Sequence, residues 1–179
     1  HSQGADYVIV PKLFEGEADL FPARGRFLFT HGRLERQRFV PAFGIPPWKR
    51  VYGFRTDARV RDLFAPRLAP AEVLRIELVR EAHYHGDTAL AAFGPAREFV
   101  LAYRDAIAPV DWPPLAAAFG DALIELTAGD AERYAANSFA YTPSGQSKES
   151  FLVLPRGVSG RLLAQRSEEH TSELQSLAY

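Results

Sequence analysis

The chain has 179 residues, 47% of them hydrophobic and 24% charged, with a formal net charge of -1, the proportions of one globular domain able to bury a core. Scattered basic residues and near-zero charge argue against a nucleic-acid or anionic-membrane partner, and no apolar run approaches the roughly 20 residues of a spanning helix. Cysteine and methionine are both absent, which removes disulfides, thiolate metal sites and a cysteine nucleophile from these residues.

Along the chain, the start HSQGADYVIV has no basic and apolar regions of a signal peptide, and with no initiating Met it reads as processed or cut from something longer. LFEGEADLF, Leu13 to Phe21, is an acidic segment. RFLF (Arg26 to Phe29) and RVYGF (Arg50 to Phe54) are short strand-like runs. Between them Thr30 to Arg50, with several basic residues and an Ile-Pro-Pro-Trp, reads as a surface loop or a lid. TDARVRDLFAPRL has helical spacing of Val60, Leu63 and Phe64, with Thr56 expected as N-cap and Pro66 as stop. VLRIEL, Val73 to Leu78, alternates as a half-buried strand does.

The order then repeats. DTALAAF and REFVLAY flank Gly94-Pro95 as a hairpin. DWPPLAAAFGD predicts a short helix with Asp111 as N-cap, ending near Gly120, and ALIELT is the returning strand. A third round runs through the helix GDAERYAA, NSFAYT, the polar turn PSGQSK, FLVLP and GVSGRLLAQ. Strand, strand, helix, strand thus recurs with a period of about 40 to 50 residues, the mark of a modular α/β assembly. RSEEHTSELQS, Arg166 to Ser176, has no capping or turn signal before it and matches the translation of a common sequencing adapter. The domain is therefore taken as residues 1–165, and 166–179 as an artefactual tail.

Three stretches carry candidate chemistry. In EAHYHGDTAL, Glu81 to Leu90, the string His83-x-His85-x-Asp87 resembles a metal-binding motif if alternate residues point one way. Zinc needs three or four protein ligands, however, and the other histidines are His1, His31 and His170, the first terminal and the last in the suspect tail. Glu15, Glu17 and Asp19 form an acidic cluster that invites a guanidinium, an ammonium or a metal. Arg55, leaving a strand just before a helix, could bind a carboxylate through its planar fork.

Taken in order, FEGEAD, GFRTD, YHGDTAL and AANS (Ala135 to Ser138) resemble the amidinotransferase and dimethylarginine dimethylaminohydrolase family of guanidine-modifying enzymes, from about Val8 to Gln165. The resemblance implies a pentein fold, an α/β propeller of five strand-strand-helix-strand units, of which this chain would hold about the middle three. It implies that Glu15 or Glu17, and Asp87, grip a guanidinium by charge-assisted hydrogen bonds. Glu15 is preferred because it follows a large apolar residue. Asp19 also matches and goes with the substrate-binding set, more as a structural hydrogen-bond acceptor than as a contact. His85 matches the family's catalytic histidine, Arg55 an arginine that holds the substrate's carboxylate, and Asn137 a supporting asparagine. His83 has no counterpart.

The family's nucleophile is a cysteine near the natural C-terminus, and these 179 residues contain none. The chain as written is therefore expected to be inactive, and its parent a cytoplasmic hydrolase or amidinotransferase with no metal or cofactor and a small guanidino substrate. Substrate identity, hydrolysis against transfer, and oligomeric state stay open. Two other readings compete: a non-catalytic protein of the same fold, like the ribosome-binding translation factors that share it, and a metallo-hydrolase built on the HxHxD string.

Overall fold

The computed structural model describes residues 9–32, 56–143 and 150–164. Strands β1 (Leu20–Ala23) and β2 (Arg26–Gly32) are followed by helix α1 (Val60–Leu68) and strand β3 (Val73–Leu78). β2 lies between an antiparallel β1 and a parallel β3. After a four-residue helix α2 (Gly86–Ala89) the same arrangement returns: β4 (Leu90–Phe93) antiparallel to β5 (Phe99–Ala102), then α3 (Trp112–Phe119), then β6 (Leu123–Glu125) parallel to β5. A third unit opens with α4 (Ala128–Glu132), pairs β7 (Phe139–Tyr141) with β8 (Phe151–Val153), and runs into α5 (Gly160–Ala164).

The described residues thus form a mixed α/β fold of three small sheets. The hairpin of the first unit turns through Arg24 and Gly25, both at positive φ (46° and 73°), the two-residue turn whose twist suits paired strands. Strand alternation then sends neighbouring residues to opposite sides. On β2, Leu28 packs between the first two units, whereas Phe29 turns to Val60 and Val73 under α1. On β5, Val100 and Ala102 face the first unit and Leu101 faces the third, against Ala135, Leu152 and Leu162. The second sheet is therefore buried on both faces. Backbone bonds stitch the first two units together, among them Arg24 N–H to the Arg97 carbonyl (3.0 Å) and Ala108 N–H to the Glu77 carbonyl (2.8 Å).

Several local expectations need correction. Helix α1 starts at Val60, four residues after Thr56, and Thr56 caps nothing; its hydroxyl goes to Asp19 instead. Pro66 sits inside α1 rather than ending it; its missing N–H costs a single bond, to the Asp62 carbonyl one turn from the helix end. Asp111 precedes α3, but its carboxylate accepts from Glu77 N–H (2.7 Å) and not from the helix. Asp87 to Ala89 belong to α2 and are not the beginning of a strand. RVYGF, residues 33–50 of the loop, the centre of the turn PSGQSK and the tail after Ala164 lie outside the described residues. Among the described residues no helix is long and apolar enough to cross a membrane.

Candidate active site

The site lies where the chain enters β1 and β4, and one carboxyl group organises it. Asp19 is 1% exposed. Its Oδ1 accepts from the Thr30 hydroxyl (2.6 Å) and from the Gly86 backbone N–H (2.8 Å), and its Oδ2 accepts from the Thr56 hydroxyl (2.5 Å). Thr56 Oγ1 in turn accepts from Glu15 N–H at 3.0 Å. Four bonds of this kind satisfy groups that would otherwise be costly to bury. They also tie the backbone of Gly86, the neighbour of His85, directly to Asp19 and that of Glu15 to it through Thr56.

Gly86 admits no other residue in this backbone. An added Cβ would strike the Thr30 hydroxyl and come within 2.6 Å of the Ala18 carbonyl. The glycine lets the α2 loop sit directly on the first unit. Glu15-Gly16-Glu17 and His85-Gly86-Asp87 consequently occupy equivalent places, each entering the first strand of its unit.

The outcome is a facing pair. His85 Nε2 lies 3.6 Å from Glu15 Oε2, and both side chains are partly exposed, 26% and 31%. They form an ion pair whenever the imidazole is protonated. The ring of Tyr84 packs against His85 with centroids 4.1 Å apart. Thr88 holds the loop from below, its hydroxyl donating to the His85 carbonyl (2.6 Å) and its N–H to the same oxygen (3.1 Å). Asp87 completes the group. Its Oδ1 is buried with no hydrogen-bond partner among the described residues. Burial, reinforced by nearby Asp19 and opposed by His85, pushes its carboxyl above the usual aspartate range. A buried oxygen without a donor is costly to keep, and here it lies two residues from His85.

The other candidates are placed differently. Glu17 is exposed, and no contact among the described residues joins it to His85. Asn137 is exposed in the turn before β7, where its N–H donates to the Tyr134 carbonyl (2.9 Å). Arg55 lies outside the described residues. The two histidines of the HxHxD string do not share a direction, because Glu81–His83 is a 3-10 turn: His83 is buried against Tyr103 and Tyr134, while His85 meets Tyr84 and Glu15. Among the described residues no three His, Cys, Asp or Glu side chains are grouped to hold a metal ion. His31 is buried on β2 beside Phe29, where burial and then Arg75 hold its pKa below the ordinary value. As site residues, Thr30, Thr56 (read only as a helix cap) and Gly86 escaped the sequence reading. Their common link to Asp19 spans 11, 37 and 67 residues, and no local pattern signals it.

No family model and no curated protein sequence matches the chain. Among solved structures it is similar to the N-terminal domain of ArgZ covalently bound to a reaction intermediate, with 19% identity and a TM-score of 0.63 over 91% of this chain and 49% of that one. The same domain bound to product, described as an arginine dihydrolase from the ornithine-ammonia cycle in cyanobacteria, gives 18% identity and a TM-score of 0.62 over the same shares. AgrE in ternary complex with ornithine and NAD+ gives 20% identity and a TM-score of 0.67 over 95% of this chain and 21% of that one. The chain thus spans about half the length of the ArgZ domain and shares its mixed α/β fold.

Proposed function

We propose that the chain is part of a guanidine-modifying enzyme of the pentein type, about three units of a five-unit α/β propeller, acting on arginine or a close analogue. The observation that carries this reading is the facing of Glu15 and His85 at 3.6 Å beside the unpartnered Asp87 oxygen. A planar guanidinium supplies N–H donors in the fork geometry that two carboxylates can accept. Asp87 has an oxygen that lacks a donor among the described residues, and the charge of a cationic ligand would offset the desolvation that raises its pKa. The fold shared with ArgZ, whose described activity is on arginine, supports the same substrate class.

The reaction needs a thiolate, which the part of the enzyme C-terminal to Gln165 supplies in this reading. Its sulfur attacks the guanidinium carbon, forming a C–S bond. His85 gives a proton to one nitrogen as the C–N bond breaks and the amine departs. Water or an acceptor amine then attacks the thiouronium carbon, its proton passes to His85, and the C–S bond breaks to return the thiolate. Glu15, in preference to the exposed Glu17, and Asp87 hold the guanidinium. Asp19 acts as the buried acceptor that fixes the spacing of Glu15 and His85 and does not touch substrate. Arg55 holds the substrate's carboxylate, and Asn137 supports the site from the third unit.

The test starts with the source DNA across the codons for Leu163 to Arg166. The expected result is a frame that continues past Gln165 without RSEEHTSELQS and reaches a cysteine. The protein so encoded should release citrulline from arginine or methylarginine, and His85→Asn should lower kcat by about 10²–10⁴-fold. A genuine RSEEHTSELQS frame with no cysteine beyond it overturns the catalytic reading.

A further inference from the structure

We propose that His83 is a positioning residue, one whose Nδ1–H, donated to the Thr88 carbonyl, holds the loop that presents His85 and Asp87. His83 is buried, and its Nδ1 lies 2.9 Å from Thr88 O. A carbonyl has no proton to give, so the ring nitrogen facing it carries the hydrogen and the tautomer is fixed by the partner. This bond closes a loop of six residues, His83 to Thr88, whose middle is His85-Gly86-Asp87.

The loop has other ties, but each holds a different part. Thr88 bonds back to the His85 carbonyl, and Gly86 N–H reaches Asp19. The His83 bond joins the loop's entry to its exit. The imidazole is itself clamped. Tyr103, just after β5, meets it edge-on with centroids 5.1 Å apart, and Tyr134, in the turn after α4, tilts onto it at 5.5 Å. Tyr134 also donates its hydroxyl to the Ala82 carbonyl (3.3 Å). Side chains from the second and third units therefore converge on His83, and through it on the loop. Such supporting contacts are what keep a reacting group within the small tolerance that chemistry demands. The inference rests on the reading above only in assigning chemistry to His85 and Asp87; the loop geometry stands apart from it.

Two substitutions separate the ring from the bond. His83→Asn keeps a nitrogen donor near the place of Nδ1, and His83→Phe keeps a ring between the tyrosines with no donor. The 179-residue chain is followed by carbon NMR of the Asp87 carboxyl across pH, with arginine titrated into each sample. Asp87 faces Asp19 from the segment entering β1 and His85 from its own loop. The expected result is an Asp87 midpoint above the ordinary aspartate value in the parent and in His83→Asn, and a fall toward that value in His83→Phe as the loop opens to water. An unchanged midpoint in folded His83→Phe, or a fall of equal size in His83→Asn, overturns the proposal. Nitrogen NMR of the parent guards against a variant that fails to fold: an Nε2–H tautomer at His83, or an Nδ1 proton that exchanges as freely as an exposed one, overturns it without any substitution. If the midpoints follow the expected pattern and arginine binds to none of the samples, the positioning role stands and the proposed substrate class is in doubt.

Discussion

At the scale of single residues, the site depends on groups that are uncomfortable where they sit. Asp87 holds its proton to a higher pH when folded than when unfolded, because burial disfavours the carboxylate. The folded state then binds the extra proton, so stability falls as pH rises from about the 3.8 of an ordinary aspartate through the raised folded value. Asp87→Asn is expected to be more stable than the parent at pH 7 and to lose that advantage in acid, which urea unfolding at a series of pH values measures. Gly86 behaves in the opposite sense. Gly86→Ala places a methyl against the Ala18 carbonyl, which is backbone and cannot swing aside, and should cost about 1–3 kcal/mol in the same unfolding assay. Sequence reasoning named Glu15, His85 and Asp87 because short motifs carry them. It preferred Glu15 but left Glu17 open, since the 3-10 turn at Gly16–Ala18, beyond which Glu15 lies by His85 and Glu17 in solvent, has no signature as short as the motif.

At the scale of elements, alternation and turn residues made the hairpins legible: the strand VLRIEL is β3 from end to end, and Gly94-Pro95 does join β4 to β5. What the local pattern misassigned were polar residues with distant partners. Thr56 and Asp111 look like helix caps by position, yet each spends its side chain on a residue more than thirty positions away. Thr127 is the counterexample, a true cap of α4 whose hydroxyl accepts from Asp130 N–H. Asp130 extends that cap into a junction between the two ends of the third unit by accepting from Ser159 N–H (2.6 Å) and the Ser159 hydroxyl (2.8 Å). Burial alone would raise its pKa; these bonds and those from Thr127 outweigh it, and the net shift is downward. Its contribution to stability is present above about 3.8, the ordinary value, and is lost as pH falls through the lower folded one. Acid should therefore free α5 before the first two sheets open, seen as early loss of amide protection at Ser159 and Leu162. Ser159→Ala should cost about 0.5–1.5 kcal/mol.

At the scale of the whole molecule, the repeat read from the sequence appears in full in two units, and the described residues of the third hold its two strands and the helix after them. β2 and β5 each have a strand on both sides, whereas β8 pairs with β7 alone among the described residues. The register sets Phe139 opposite Val153 and Tyr141 opposite Phe151, so one face of this two-stranded sheet is aromatic and apolar, with Phe139 64% and Tyr141 50% exposed. An open edge beside such a face invites pairing with another chain. The isolated chain is expected to self-associate as concentration rises, by sedimentation velocity; a monomer that stays monomeric and melts in one sharp transition contradicts this. The bond from Gly86 to Asp19 has a temporal meaning as well. It joins residues 67 positions apart, whereas each hairpin closes over a few residues, and long loops close late because their entropy must be overcome first. The hairpins should thus form before Glu15 and His85 meet. A fluorescent or NMR probe on His85 would then act as a clock for the last stage of folding, reporting docking of the first two units after their strands are already paired.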